Sequence, residues 1–186
     1  MIAVIVGSAG TGKTLSALDW AAQKPGTLFI AGDEDIFTLR SKSEVFSKDN
    51  SKTIFFEVSL DDPDFLALLR RGLETGGRRL VIDGVDRFQD LNGLVLPEIV
   101  DLCAEFPGVE ILLTMQTRRA AVQNPQKALG EVRSALFEAS ETFVLLDAPY
   151  ETSPSGVLVK DRGMLSPDGS FAGIQLRLDT PAALPF

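Results

Sequence analysis

The chain has 186 residues, of which 45% are hydrophobic and 24% charged, as expected for one globular domain with a substantial core. It contains no histidine and a single cysteine, which excludes histidine general bases, histidine metal sites, internal disulfides and cysteine zinc sites. The formal net charge of −8 and the isoelectric point near 4.6 exclude a broadly basic surface, so any nucleic-acid contact must come from local arginine and lysine residues.

The first predicted elements are a strand and a helix joined by a glycine-rich turn. Residues 2–6 are an uninterrupted apolar run that predicts a buried strand, and residues 15–22 carry apolar side chains at helical spacing. The turn between them fits G-x-x-x-x-G-K-[ST] at every fixed position, and it consists of Gly7, Ser8, Ala9, Gly10, Thr11, Gly12, Lys13 and Thr14.

A strand, a glycine-rich turn and a helix start in this order predict a phosphate-binding loop, or P-loop. Glycines let backbone N–H groups converge on phosphate oxygens, and the helix dipole adds positive potential there. We expect Lys13 to face solvent at this cradle and to pair the β- and γ-phosphates, and Thr14 to bind Mg²⁺. The alternative is a chance glycine-rich turn, but the flanking strand and helix favour a nucleoside triphosphate site.

The second strand is predicted over residues 27–31 and runs into the acidic segment 32–35. Because ligands of open α/β sheets bind at the carboxyl ends of the strands, we expect this acidic segment on the nucleotide side. Residues 38–52 are polar and predict a short helix and a loop. Residues 53–58 predict the third strand.

A second site residue is predicted where the fourth strand ends. Residues 65–73 predict a helix that the acidic residues before it cap, and residues 78–83 predict the strand that follows. Three apolar residues and then Asp83 fit the Walker B pattern, whose carboxylate holds Mg²⁺, usually through water, opposite Thr14. The alternative is that Asp83 only caps the next turn.

The next helix is predicted over residues 94–106 and the next strand over residues 109–116. This strand brings the polar side chains of Thr114 and Gln116 to the same edge as Asp83. We therefore expect three polar residues from two strands on the nucleotide side of the sheet.

Beyond this point the alternation of strands and helices weakens. Residues 118–128 predict a mobile loop, residues 129–139 a short helix and residues 142–146 a strand. Residues 157–160 and 174–178 are typical of antiparallel strands that close the sheet.

The whole pattern predicts one α/β domain over residues 1–178, with a doubly wound, mostly parallel sheet flanked by helices and antiparallel strands at the C-terminal edge. Residues 179–186 predict a short flexible tail. The opening apolar run ends at Gly7 and is too short for a signal peptide or a membrane span. We therefore expect a cytoplasmic protein without a membrane partner.

The order of these elements resembles the RecA-like P-loop ATPase core shared by RecA and RadA recombinases and DnaB-type replicative helicases. The resemblance covers nearly the whole chain. No Asn-Lys-x-Asp run for guanine occurs, and no arginine-rich lid follows the third strand, so the chain differs from small GTPases and nucleoside monophosphate kinases. With neither a helical domain nor a zinc module before the core, it is similar to the short RecA-core recombination proteins of phages.

One resemblance lies in the acidic segment after the second strand, which is similar to the recombinase pattern acid-x-Glu-x-x-Phe. Glu34 and Phe37 match that pattern, whereas Gly32 stands where its first acid is expected. The resemblance implies that Glu34 polarises the attacking water as the catalytic base. Asp33 and Asp35 are alternatives one residue away, and a solvated acidic loop without catalytic function is another.

A further resemblance lies in residues 112–119, which are similar to the helicase stretch apolar-apolar-Ser/Thr-x-Gln-x-x-Arg. It implies that Gln116 senses the γ-phosphate and that the loop after it contacts single-stranded DNA. In that loop it assigns DNA contacts to Arg118, Arg119 and Lys127. An ordinary polar surface loop is the alternative.

Residues 158–163 look like the Lys-x-Arg-x-Gly strand of the same family. In hexameric helicases these two cations reach the γ-phosphate of the neighbouring subunit. The resemblance therefore implies that Lys160 and Arg162 act in trans, in a homo-oligomeric ring or filament with nucleotide at its interfaces. A cationic pair that guards an edge strand against aggregation is the alternative.

The sequence thus predicts a Mg²⁺-dependent ATPase that acts on single-stranded DNA in recombination, annealing or replication. ATP and Mg²⁺ are the expected cofactors, and single-strand-binding protein is a further expected partner. One alternative is a DnaB-like helicase or DNA-translocating motor subunit. An alternative of another class is an ATP-switched regulatory or assembly protein with little turnover. The expected catalytic residues are Lys13, Glu34, Gln116, Lys160 and Arg162, and the expected metal ligands are Thr14 and Asp83.

Overall fold

A computed structural model of the protein describes most of the chain. The described residues are 1–32, 34–45, 49–57, 64–85, 95–117, 138, 140–146, 155–161, 168 and 170–177. In this part of the chain strands and helices alternate as far as β5, after which three strands follow without an intervening described helix. Their bounds are β1 Ile2–Gly7, α1 Lys13–Ala22, β2 Leu28–Ala31, α2 Ile36–Val45, β3 Ile54–Glu57, α3 Phe65–Glu74, β4 Arg79–Asp83, α4 Val95–Glu105, β5 Glu110–Gln116, β6 Thr142–Leu146, β7 Ser155–Lys160 and β8 Gln175–Arg177.

The strands form one eight-stranded sheet in the order β3-β2-β4-β5-β1-β6-β7-β8. The first six strands in this order are parallel. β7 pairs antiparallel with β6, and β8 runs parallel to β7, so the last two strands oppose the rest. The predicted mostly parallel sheet is therefore confirmed. The predicted antiparallel pairing at its C-terminal edge is confirmed for β6 and β7, whereas β7 and β8 run parallel to each other.

Alternate residues of the central strands pack against helices on opposite faces of the sheet. In β2, Leu28 and Ile30 belong to the core under α3 and α4, whereas Phe29 and Ala31 belong to the core under α1 and α2. A strand buried on both sides needs a continuous apolar run, which explains why these strands do not alternate with polar residues. The face that carries α1 and α2 is called the α1 face below.

The helix starts differ from the predictions in small ways that local contacts explain. α1 begins at Lys13, because Gly12 adopts a left-handed conformation that turns the chain into the helix. α2 begins at Ile36, earlier than predicted, because Asp35 accepts a hydrogen bond from the backbone of Thr38. Asp64 occupies the N-cap position of α3, but its side chain makes no capping hydrogen bond there.

Several predictions fall on residues outside the described part of the chain. These are the loop over 118–128, the tail over 179–186 and the helix over 129–139 apart from residue 138. Among the helices that are described, none combines the length and the apolar character that crossing a bilayer requires.

Candidate nucleotide and metal site

The turn from β1 into α1 has a shape that its glycines make possible. Gly10 and Gly12 have φ values of 76° and 90°, in the left-handed region that other residues rarely adopt. A Cβ atom added to Gly7 would lie 2.5 Å from the hydroxyl oxygen of Thr11, so the first glycine is needed for space. The backbone of this turn can therefore curve closely in front of the amino end of α1.

Two side chains of this loop bind the same loop carbonyl. The hydroxyl of Thr11 donates to the carbonyl oxygen of Ser8 at 2.9 Å, and the Lys13 ammonium donates to it at 2.8 Å. Lys13 is only 8% exposed, so the expectation that it faces solvent is wrong. Its ammonium is directed into the turn, at the carbonyl of Ser8. This concentrates positive potential at the helix start, where an anion gains most from it.

Asp83 lies at the centre of the site and is held through both carboxylate oxygens. Thr14 Oγ1 donates to Asp83 Oδ2 at 2.9 Å across a sequence separation of 69 residues. Thr114 Oγ1 donates to Asp83 Oδ1 at 2.6 Å and accepts from the backbone N–H of Gly84 at 2.8 Å. Asp83 is 2% exposed, so this network fixes its position between α1, β4 and β5.

Thr114 is a site residue whose role the sequence does not predict. The sequence places its side chain at the right edge of the sheet, but nothing in the pattern pairs it with the Asp83 carboxylate. The available signal is a hydroxyl residue within the apolar, buried interior of a strand, because such a group needs a hydrogen-bond partner.

Gln116 lies beside the P-loop, as the sequence predicts. In the ladder between β5 and β1 it is level with Gly7. It follows Thr114 by two residues, so both side chains lie on the α1 face of the sheet. The amide is exposed at the carboxyl end of β5. This position is compatible with a contact to a ligand in the turn.

The P-loop also lies where the chain connections diverge. From β1 the chain continues to β2, which lies towards the β3 edge of the sheet. From the neighbouring β5 it continues to β6, which lies towards the β8 edge. Ligands of open α/β sheets bind at the carboxyl ends of strands where adjacent connections separate in this way. The crevice outside β1 and β5 is therefore the expected binding position on topological grounds as well.

The donor set at Thr14 and Asp83 fits Mg²⁺ held jointly by protein and phosphate. A hydroxyl and a carboxylate are hard oxygen ligands, and Mg²⁺ usually takes one or two carboxylates together with phosphate oxygens and water. Within the described ranges no group of three or more acidic or cysteine side chains makes a self-contained metal site. A metal here would therefore depend on a bound polyphosphate for its remaining ligands.

Glu34 lies three residues after Ala31, the last residue of β2, which is level with Asp83 in the ladder between β2 and β4. The backbone N–H of Gly32 donates to the carbonyl of Asp83 at 2.9 Å, which continues the pairing of β2 with β4 beyond the strand. One carboxylate oxygen of Glu34 forms an ion pair with Lys42 of α2. The other, Oε2, is buried and has no hydrogen-bond partner among the residues that the structure describes. Glu34 thus has one acceptor in use and one open.

Asp35 would be the base if the recombinase pattern were shifted by one residue, but its carboxylate already binds the start of α2. Its carboxylate accepts from the backbone N–H and from the hydroxyl of Thr38, both at 2.8 Å. These hydrogen bonds, the backbone one first, hold the pKa of Asp35 below its ordinary value. Asp35 is therefore a helix cap, which favours Glu34 over Asp35 as the base. Asp33 lies outside the described residues.

Lys160 lies two strands away from β1 and is level with a residue three positions before Gly7. β7 runs against β6, so Lys160 pairs with Phe143, which in turn is level with Val4 near the start of β1. Its ammonium donates to the carbonyl of Glu138 at 3.2 Å. The other predicted cations fall outside the described residues, and these are Arg118, Arg119, Lys127 and Arg162.

Fold and site together define an α/β protein with a candidate phosphate and metal site at the carboxyl ends of parallel strands. No protein-family model matches the chain, and no curated protein matches it either. The functional argument therefore depends on the geometry of the site and on the sequence motifs.

Proposed function

We propose that this protein is a Mg²⁺-dependent ATPase with a RecA-like P-loop core, and that it acts on single-stranded DNA in recombination, annealing or replication. The observation that carries the proposal is the 2.9 Å hydrogen bond between Thr14 and Asp83, which joins the end of the P-loop motif to the Walker B motif. Two motifs recognised separately in the sequence would meet by chance only rarely, and both have the ligand types that Mg²⁺ prefers.

Binding is assigned to the turn and to the start of α1. Backbone N–H groups and the Lys13 ammonium would contact the phosphates, and Thr14 and Asp83 would hold Mg²⁺. When bound, Mg²⁺ would neutralise part of the phosphate charge. The already constrained carboxylate of Asp83 favours this, because a ligand group fixed by Thr114 loses little entropy on binding.

Hydrolysis is assigned to Glu34 as the base and to Gln116 as the residue that senses the terminal phosphate. The open acceptor Oε2 of Glu34 supports the first role, because a general base must accept a proton from water. The position of Gln116 beside Gly7 supports the second. The DNA part of the proposal depends on the resemblance of residues 112–119 to the helicase stretch.

A second candidate function is an ATP-switched regulatory or assembly protein with little turnover. The ion pair between Glu34 and Lys42 favours it, because a carboxylate oxygen bound to a cation is not directed at an attacking water. In such a protein, nucleotide binding would move α2 through Glu34 without efficient hydrolysis. The two candidates share the binding site and differ in what Glu34 does.

The proposed site is tested by the ATP affinity with Mg²⁺ and with EDTA in a double-mutant cycle. Thr14→Val and Asp83→Asn should each reduce the gain in affinity from Mg²⁺ by about tenfold, the lower end for groups around a metal. The double variant should lose little more than either single one, because both groups hold one metal. Thr75→Val is the matched control, since its hydroxyl donates to the Gly72 carbonyl at the end of α3, away from the site.

Absence of ATP binding in the wild-type protein, or fully multiplicative losses in the double variant, would contradict this assignment. Turnover with and without single-stranded DNA then separates the candidate functions. Stimulation by single-stranded DNA supports the DNA-dependent ATPase. Tight binding with slow turnover that DNA does not change supports the switch, and strand displacement supports a helicase.

A further inference from the structure

Arg79, at the start of β4, is a buried cation with contacts to two other elements. Its Nε donates to Glu110 Oε2 of β5 at 2.6 Å, and its Nη1 donates to the carbonyl oxygen of Trp20 in α1 at 2.6 Å. The guanidinium carbon also lies 4.1 Å from the centroid of the Trp20 ring. Arg79 is 7% exposed, so these contacts are made away from solvent.

The acidic partner of this cation is itself shared with a second one. Lys24, just after α1, donates to Glu110 Oε1 at 2.7 Å. Burial alone raises the pKa of the Glu110 carboxyl, but the hydrogen bonds and charges of Lys24 and Arg79 outweigh it and hold that pKa below its ordinary value. Glu110 is therefore ionised at neutral pH and keeps the cluster charged and ordered.

These contacts tie both ends of α1 to both ends of one strand. Arg79, Val81 and Asp83 alternate along β4, so all three face α1. At the carboxyl end of β4, Asp83 binds Thr14 in the first turn of the helix. At the amino end, Arg79 binds the Trp20 carbonyl near the end of the helix. The helix is thus held against β4 at two points.

We propose that Arg79 is a positioning residue for the metal site, because it fixes the far end of α1 on β4 and so keeps Thr14 within reach of Asp83. This inference rests on the proposed function. The two parts of the site should respond differently to a shift of α1. The phosphate cradle lies within one continuous segment, β1 to α1, and keeps its shape if the helix shifts. The metal position lies between α1 and β4, so it alone depends on their alignment.

The test compares ATP affinity with Mg²⁺ and with EDTA in Arg79→Met, Arg79→Lys and the wild type. Arg79→Met should reduce the gain in affinity from Mg²⁺ by about tenfold, a typical effect of groups behind metal ligands, while affinity in EDTA stays the same. Arg79→Lys keeps the charge beside Glu110 but cannot form the planar fork over Trp20. Relative to Arg79→Met, Arg79→Lys should therefore recover more of the wild-type thermal stability than of the wild-type gain in ATP affinity from Mg²⁺.

The matched control is Arg70→Met, which removes another guanidinium that bridges two elements. Arg70 binds both carboxylate oxygens of Glu105, at 2.7 Å and 2.9 Å, and so joins α3 to α4 on the opposite face of the sheet. It should leave the Mg²⁺ effect unchanged.

Three outcomes overturn the inference. They are an unchanged Mg²⁺ effect in a folded Arg79→Met protein, an equal loss of affinity with and without Mg²⁺, and an equal loss in Arg70→Met. If Arg79→Met does not fold, the same comparison is made with Arg79→Lys. Failure of the wild-type protein to bind ATP under either condition would instead refute the proposed function, so the two failures are distinguishable.

Discussion

At the scale of single residues, the assignment of Glu34 as the base gives the most direct prediction. Glu34→Gln should retain ATP binding and reduce turnover by roughly 10²- to 10⁴-fold, because the amide keeps the shape but cannot accept the proton. Asp35→Asn is the control, since Asp35 caps α2 through Thr38 and should affect stability and not turnover. The measurement is ATP hydrolysis at saturating nucleotide, with binding measured separately.

If turnover is instead kept in Glu34→Gln and lost in Asp35→Asn, the base is Asp35 and not Glu34. A third variant, Lys42→Met, separates the two candidate functions. It removes the ion pair at Glu34. Faster turnover in Lys42→Met would indicate that Lys42 restrains the base, as expected of a switch, whereas unchanged turnover favours the ATPase.

The contact between Thr14 and Asp83 was predictable from sequence, because each residue lies in a motif whose position relative to a strand and a helix is fixed. The burial of Lys13 and the hydrogen bond from Thr114 were not. A motif specifies which residue types occur and in what order, but not how a flexible side chain folds back on its own loop. Lys13 turns to the Ser8 carbonyl, and that contact has no signature in the spacing of residues.

At the scale of elements, the close approach of the P-loop to β6 predicts a steric effect at Gly7. A Cβ atom there would lie 2.5 Å from Thr11 Oγ1 and 3.0 Å from Leu146 Cβ, so Gly7→Ala must displace the loop. Overpacking of this kind costs about 1–3 kcal/mol of stability. It should also weaken ATP binding both with and without Mg²⁺, because the cradle itself is distorted.

The matched control is Gly26→Ala, in the turn after α1. Gly26 has a φ of 77° and no atom within 4 Å of an added Cβ, so this change strains the backbone without touching the P-loop. Its stability should fall by about 1–2 kcal/mol, the cost of a left-handed conformation for alanine, while ATP affinity stays unchanged. Denaturant unfolding and ATP titration of both variants measure the two effects. Wild-type affinity in Gly7→Ala would contradict the cradle.

The strands were predicted more accurately than the helix starts. Runs such as Leu80–Ile82 are apolar at every position, and burial on both faces of a parallel sheet requires that pattern. Helix starts depend instead on single capping contacts. Asp35 begins α2 by accepting hydrogen bonds from Thr38, whereas the chemically equivalent Asp64 makes no such bond at α3. Composition alone does not distinguish these two aspartates.

At the scale of the whole molecule, the reversal of β7 separates two groups that the resemblance assigns to one reaction. Lys160 is level with Val4, so it lies about 10 Å along the strands and about 10 Å across them from Gly7. The sequence predicts both groups but not their separation, because strand direction depends on tertiary pairing. A Lys160 that contacts phosphate must therefore contact the phosphate of another copy.

An assembly in which each copy completes its neighbour's site should show turnover per subunit that rises with protein concentration. Lys160→Ala should keep ATP affinity and lower turnover by about 10³-fold, because a cation supplied in trans acts mainly on the charge that develops during phosphoryl transfer. Glu34→Gln should also be inactive alone. In a mixture of the two variants, some head-to-tail interfaces pair an intact Glu34 with an intact Lys160.

Mixing should therefore restore part of the activity, and single-stranded DNA should increase the recovery if it gathers subunits along one strand. The measurement is ATP hydrolysis of the mixture against each variant alone, with the mass in solution measured in parallel. Lys160→Ala alone, at the same total protein concentration as the mixture, is the control for simple concentration effects. If the variants co-assemble by mass yet regain nothing, or if dilute monomers turn over as fast as assemblies, Lys160 does not act in trans. The cation would then serve only its structural contact with the carbonyl of Glu138.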